Sequence, residues 1–357
     1  MFYRRAGLRH TRYTQDRQLW PLPFDRALLA LAAALLVLAP AFLPSLYIGT
    51  YLMPWLLWTT ATLGLNLLMG VAGQVHLGYG AVMAIGAYGA LHATRAGVPF
   101  EFALLIGGLL AAAIGVVFGA AALRVKGLYL AISTLAMQYL VDYVIIHVPA
   151  ISGGTQATLS APPVRLIGFA LSGDSAYYWF ALAMCALVTM FMLNVRRTSY
   201  GRALAAVREK DFAAEIIGVS TFRYKLSVFW VSSFIGGVAG TLFAFCYYKA
   251  VTPEQFHLEL SIQMLATVIV GGMGSVLGSY FGAALILLAP VVLNNGLAGL
   301  AKGLSIPINA DIAAHAPLVL YGGLIVGFLL FEPLGLAKIY ANLRNYFLVW
   351  PFRHARR

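Results

Sequence analysis

An all-α membrane protein that crosses the bilayer about ten times is the fold class this sequence predicts, on three observations. Hydrophobic residues make up 61% of the 357 positions and charged residues 10%, where a soluble domain has roughly half and a quarter. The excess is gathered into runs. Ala27 to Leu46, Ile48 to Met69, Phe102 to Leu123 and Tyr177 to Val195 carry no charge, and each approaches the roughly 20 residues that cross a hydrocarbon core. The third observation is where the basic residues fall, which depends on the spans.

Spans are expected at 27–46, 48–69, 74–94, 102–123, 127–148, 177–195, 226–248, 260–272, 275–296 and 315–333. The first comes after a basic segment too long for a secretory n-region, and its apolar run exceeds a typical h-region. Ala39-Pro40-Ala41 resembles a cleavage site only faintly, so a retained first span is expected. The eighth is short and reads as broken or re-entrant. With the N-terminus inside, ten crossings place the C-terminus inside too. Twenty of the 24 Lys and Arg residues then fall on the cytoplasmic side, and only Arg95, Arg165, Lys249 and Lys302 outside. That asymmetry is the positive-inside pattern, so the net charge of +12 reflects topology and points to no nucleic-acid partner. The chain thus divides into a basic cytoplasmic segment 1–26, a transmembrane domain 27–337 and a basic cytoplasmic tail 338–357.

Enzyme chemistry finds no support. There is no G-x-x-x-x-G-K-[ST], H-E-x-x-H or C-x-x-C, so no catalytic residue, metal or cofactor is expected. Cys185 and Cys246 both fall in spans and form no disulfide framework. Asp142 is the one charge clearly inside a span, too few for the relay of an ion-coupled carrier. Neutral polar residues are more frequent, and Asn66, Gln74, His76, Thr134 and Gln138 are candidates to border a solute path, with hydrogen bonding between packed helices as the plainer alternative. Glycines recur at helix-packing spacing at 274/278/282, 236/240 and 115/119. A weak internal echo links Gly70-Val71-Ala72-Gly73-Gln74-Val75 with Gly271-Gly272-Met273-Gly274-Ser275-Val276.

The two long loops differ in character. Residues 149–176, rich in Gly, Ser, Thr and Pro, read as external turns. Residues 196–225 read as cytoplasmic, with one amphipathic helix running from Gly201 to a C-cap at Gly218. Ala205, Phe212, Ala213 and Ile216 share one side of it, and Arg208, Asp211 and Glu215 the other. Such a helix either lies in lipid headgroups or docks on a cytoplasmic partner, and its three acidic residues favour docking.

That loop resembles the cytoplasmic coupling segment of branched-chain amino-acid ABC transporter permeases, the LivM-like branch. The matching residues are Gly201-Arg202-Ala203-Leu204-Ala205-Ala206-Val207-Arg208-Glu209, Ala213-Ala214-Glu215-Ile216-Ile217-Gly218, Lys225 and Gly236-Gly237-Val238-Ala239-Gly240. The likeness continues at Thr62 to Leu67, Leu77 to Tyr88, Tyr129 to Ala136, Val270 to Ser275 and Pro333 to Leu336. It implies the permease fold of an ABC importer in the bacterial cytoplasmic membrane. The implied partners are a second homologous permease, two cytoplasmic ATPase subunits and an extracytoplasmic solute-binding protein. Gly201, Arg202, Ala206, Arg208, Glu209, Ala213, Glu215 and Gly218 would then couple ATPase to transport. His76 stands where the family usually has Ser, and Ser152 to Ala157 depart from its usual external-loop pattern. Those departures leave the solute open among branched-chain and other hydrophobic amino acids, amides, urea and aromatic acids. An ion-coupled secondary carrier is the competing class, and it would require midplane carboxylates.

Overall fold

The computed structural model describes residues 23–123, 128–154, 157–166, 168–304 and, apart from 320, 321, 324, 329, 331 and 333, 319–349. The chain is helical from one end of that range to the other. Helices α1 (Pro23–Phe42), α2 (Ser45–Val71), α3 (Tyr79–Arg95), α4 (Phe100–Ala122), α5 (Leu128–His147) and α6 (Asp174–Val195) come first. Two short helices come next, α7 (Ser199–Glu209) and α8 (Asp211–Ile216), then α9 (Thr221–Tyr248), α10 (Leu258–Gly271), α11 (Val276–Leu304) and α12 (Leu336–Val349).

Among the described residues, six helices are long and apolar enough to cross a membrane: α1, α2, α4, α5, α6 and α9. The expected third span is partly overturned. Residues 74–78 are not helical and α3 begins only at Tyr79, because side chains of α5 and α10 take over the backbone donors of its first turn. Its 17 residues rise about 26 Å at 1.5 Å each, short of a hydrocarbon core of roughly 30 Å. Helix α10 has 14 residues and rises about 21 Å, as a broken eighth span should. The ninth is longer than expected, running on to Leu304. Most of the tenth lies outside the described residues.

Burial orders the bundle. Helix α2 is 89% buried and α9 83%, against 6% for α1, so α2 and α9 are central and α1 is peripheral. Three helices, α3, α4 and α9, pack closely through glycine: Gly86 of α3 lies against the Gly237 backbone of α9, and Gly107 of α4 against the Gly86 carbonyl. Gly115 and Gly119 of α4 face Ser233 and Phe229, and Gly236 of α9 faces Tyr79 and Val82. In α11, Gly278 and Gly282 lie against the backbone of α10. Gly274 does not share that face; it sits in the turn before α11 at φ 80° and abuts Gly70.

The loops sort to two ends, as alternate crossings require. At one end the backbones of Gly70 and Gly274 adjoin, and Gly335 sits against Gly272. At the other, strand β1 (Leu159–Ser160) pairs antiparallel with β4 (Ala250–Val251), while β2 (Arg165–Leu166) pairs with β3 (Phe169–Ala170). Arg95 donates to the Ser160 carbonyl at 3.3 Å, and Lys249 lies 3.8 Å from Asp174. Asp25 of α1 and Arg344 of α12 form an ion pair at 2.5 Å.

Candidate functional site

The 196–225 segment folds into a rigid bracket, not one helix. Thr198 caps α7, its hydroxyl accepting from Gly201 N–H at 3.3 Å. The expected continuous helix from Gly201 to Gly218 is overturned at Lys210, which is extended at φ −153° and ψ 100°. That break turns α8 away from α7. Helix α8 does end as expected: Gly218, at φ 86°, donates to the Glu215 carbonyl while Val219 donates to that of Ala214, a Schellman close that needs a left-handed residue.

Side-chain placement reverses the simple picture of an apolar face turned inward. Leu204, Val207 and Ala214 are buried, and Gly201 lies tight against the Val195 carbonyl. The charged side is largely exposed, Arg208, Lys210 and Glu215 among it, but several of its polar tips bond back to the protein. Lys225 pairs with Asp211 at 2.5 Å, the Thr221 hydroxyl donates to Glu215, and Arg208 donates to the Gly70 carbonyl of α2. Pointing outward are Phe212 at 76% exposure, Ile216 at 71% and Ile217 at 73%. Arg202, Ala205, Glu209, Ala213 and Gly218 are exposed with them, and Ala206 is half-buried. An apolar patch on a loop braced by an ion pair and two hydrogen bonds is a surface made to be covered.

Beneath the bracket lies a cavity of about 720 Å³ lined by Gln74, Arg208, Lys210, Asp211, Glu215 and Lys225 among others. Of the two echo segments only Ala72 to Val75 line it; the segments meet beside it, where Gly274 abuts Gly70. Asn66 Oδ1 accepts from Gly274 N–H at 2.7 Å, and its Nδ2 donates to the Ser275 carbonyl at 2.8 Å and Ser279 Oγ at 2.9 Å.

The other path candidates gather around the start of α3. Helix α5 pins it: Thr134 Oγ1 accepts from Leu77 N–H at 2.9 Å, and Gln138 Oε1 from Ala81 N–H at 2.7 Å. Ser261 of α10 accepts from Gly80 N–H at 2.7 Å and donates to Gln138 Oε1 at 2.8 Å. Gln138 Nε2 donates to the Phe256 carbonyl and to Asp142, which faces His257 at 3.7 Å. A helix beginning inside the membrane is tolerated only with such substitutes. Thr134 and Gln138 are therefore pins, while Gln74 and His76 stand apart. Both are buried; His76 Nδ1 accepts from Gly78 N–H at 3.1 Å, while the Gln74 side-chain amide and His76 Nε2 have no hydrogen-bond partner among the described residues. Sequence reasoning missed Ser261 and Ser279; the only signal was a small hydroxyl in the first turn of the eighth span and another in that of the ninth.

Comparison with known proteins identifies the family. The family model described as "Branched-chain amino acid transport system / permease component" matches residues 47–330. The chain is 33% identical over 298 residues to the high-affinity branched-chain amino acid transport system permease protein LivM of Escherichia coli, covering 77% of this chain and 66% of that protein. LivM of Salmonella typhimurium is 32% identical over the same span, and a probable LivM of Methanocaldococcus jannaschii 23% identical over 237 residues, 66% of this chain and 67% of that protein. The match thus spans 66% of the length of the two enterobacterial relatives. No solved structure matches. An all-helical, multi-pass inner-membrane protein, the chain belongs to the family of branched-chain amino acid transport system permease components.

Proposed function

We propose that this chain is the permease subunit of an ATP-driven importer that moves a small polar solute across the cytoplasmic membrane by alternating access. Branched-chain or other hydrophobic amino acids are the first solute class, with amides, urea and aromatic acids next. It works with a second homologous permease, two cytoplasmic ATPases and an extracytoplasmic binding protein. The observation that carries this reading is the outward apolar patch of Phe212, Ile216 and Ile217 on the 196–225 bracket. Force from an ATPase has to enter through a protein contact, and a braced loop passes displacement to the bundle where a slack one would absorb it.

The same reading has ten crossings, with α3 and α10 completed by the non-helical segments beside them, and both termini cytoplasmic. The Asp25–Arg344 ion pair supports it, since an even number of crossings brings the first and last helices to one face. Segments 1–26 and 338–357 are then the basic cytoplasmic ends on either side of the 27–337 domain.

The test is a double variant, Phe212→Glu with Ile216→Glu. Both side chains are exposed, so the chain should accumulate normally. Co-purification of the ATPase should fall at least tenfold, because a desolvated, unpaired charge at an interface costs about 2–5 kcal/mol. Normal ATPase association and uptake would instead make the patch a headgroup-bound surface on membrane lipid.

A further inference from the structure

Arg208 is exposed on the bracket beside the docking patch, yet the tip of its side chain reaches inward. Its guanidinium donates to the carbonyl of Gly70 in the last turn of α2. It reaches that carbonyl through a gap that side chains would close. A Cβ on Gly73 would stand 2.8 Å from Arg208 Cγ, and one on Gly274 would stand 3.5 Å from its Nη1. One side chain thus spans from the bracket to the seam where α2 meets the 272–275 turn. Asn66, one turn earlier on α2, latches that seam with its three hydrogen bonds to Gly274, Ser275 and Ser279.

Just past Gly70 the bundle holds its least satisfied segment. Residues 72–78 leave the helix, and Gln74 and His76 within them keep buried polar atoms without partners. Unpaired buried groups of this kind cost free energy and call for an explanation, a store of strain among the recognised ones. A segment that pairs its polar groups only after moving is poised to move, and Arg208 sits on the hinge between it and α2.

We propose that Arg208 is a positioning residue that ties the bracket to a cytoplasmic gate formed by segment 72–78 and the 272–275 turn. Displacing α7 withdraws the guanidinium from Gly70, frees the seam and lets Gln74 and His76 reach new partners. The proposal rests on the bracket being the ATPase-coupling loop, and it removes Arg208 from the residues expected to touch the ATPase.

The experiment uses the full transporter in detergent, with Ala72→Cys as reporter. Ala72 is 2% exposed and lies within the segment at the cavity wall, so maleimide labelling of a thiol there is slow and speeds up when the gate loosens; the chain without the reporter gives the background from the two buried native cysteines. Arg208→Gln should raise labelling and lower uptake by about tenfold each, the change one charged hydrogen bond makes, with ATPase co-purification unchanged. Arg208→Lys, which still donates to one carbonyl, should restore most of both. Unchanged labelling and uptake in Arg208→Gln would overturn the proposal, and loss of the ATPase would make Arg208 a docking residue instead. Because labelling reads a contact within this chain, it separates failure of the gate from failure of the docking patch. Retained ATPase in Phe212→Glu/Ile216→Glu would overturn the coupling reading, and the transmission role with it.

Discussion

Gly240→Ala is expected to leave little folded protein in the membrane. Helix α9 passes α3 so closely there that an added Cβ would stand 2.0 Å from the Met83 carbonyl oxygen and 2.6 Å from its carbon. Those atoms are backbone and have no rotamer to escape into. One turn away the approach is repeated in reverse, where a Cβ on Gly86 would meet the Gly237 carbonyl oxygen at 2.2 Å. The helices would have to part along this seam, and lipid offers no hydrophobic force to press them together again; packing contact is what holds them. Overpacking typically costs about 1–3 kcal/mol, and a contact made wholly of backbone belongs at or above the top of that range. The measurement is the fraction surviving as a single species in mild detergent on heating. Gly322→Ala, at a position with nothing among the described residues within 4 Å, should match the parent protein.

Gln138→Leu should come next in severity. The side chain accepts from Ala81 N–H and Ser261 and donates to Phe256 and Asp142, so leucine orphans four groups at membrane depth. A single unsatisfied buried group costs about 1–3 kcal/mol; several sharing one hub should unseat the start of α3 and lower the unfolding midpoint by many degrees. Gln138→Glu keeps the acceptor for Ala81 and Ser261 but loses the donor to Phe256 and Asp142. It should fall between the leucine variant and the parent, and a ranking in which leucine is harmless would show that α3 does not depend on this hub.

Those two positions also separate what the chain makes legible from what it hides. Continuous apolar runs announce α1, α2, α4, α6 and α9, because length and lack of charge decide a span on their own, and α5 follows from length despite Asp142. Glycine spacing announces which faces pack, since backbone approach leaves a periodic trace. The start of α3 is not announced: whether residues 74–78 coil into a helix depends on donors and acceptors from α5 and α10, more than 50 positions away in the case of Thr134 and Leu77. For the same reason Thr134 and Gln138 suggest a path in the sequence and act as pins in the fold. The bracket is legible as an amphipathic segment with a glycine cap. Its break at Lys210 and the inward reach of Arg208 are not, because a carbonyl 138 residues distant sets the direction of that side chain and periodicity carries no trace of it.

The central claim is that the energy for transport enters through another chain, and the source of energy tests it most directly. Initial uptake of a radiolabelled solute should be measured in cells whose proton gradient has been collapsed by a protonophore while glycolysis maintains ATP. The account predicts that uptake continues, and that it stops in the Phe212→Glu/Ile216→Glu variant. Uptake that disappears with the gradient while ATP stays constant would contradict it and make the chain an ion-coupled carrier.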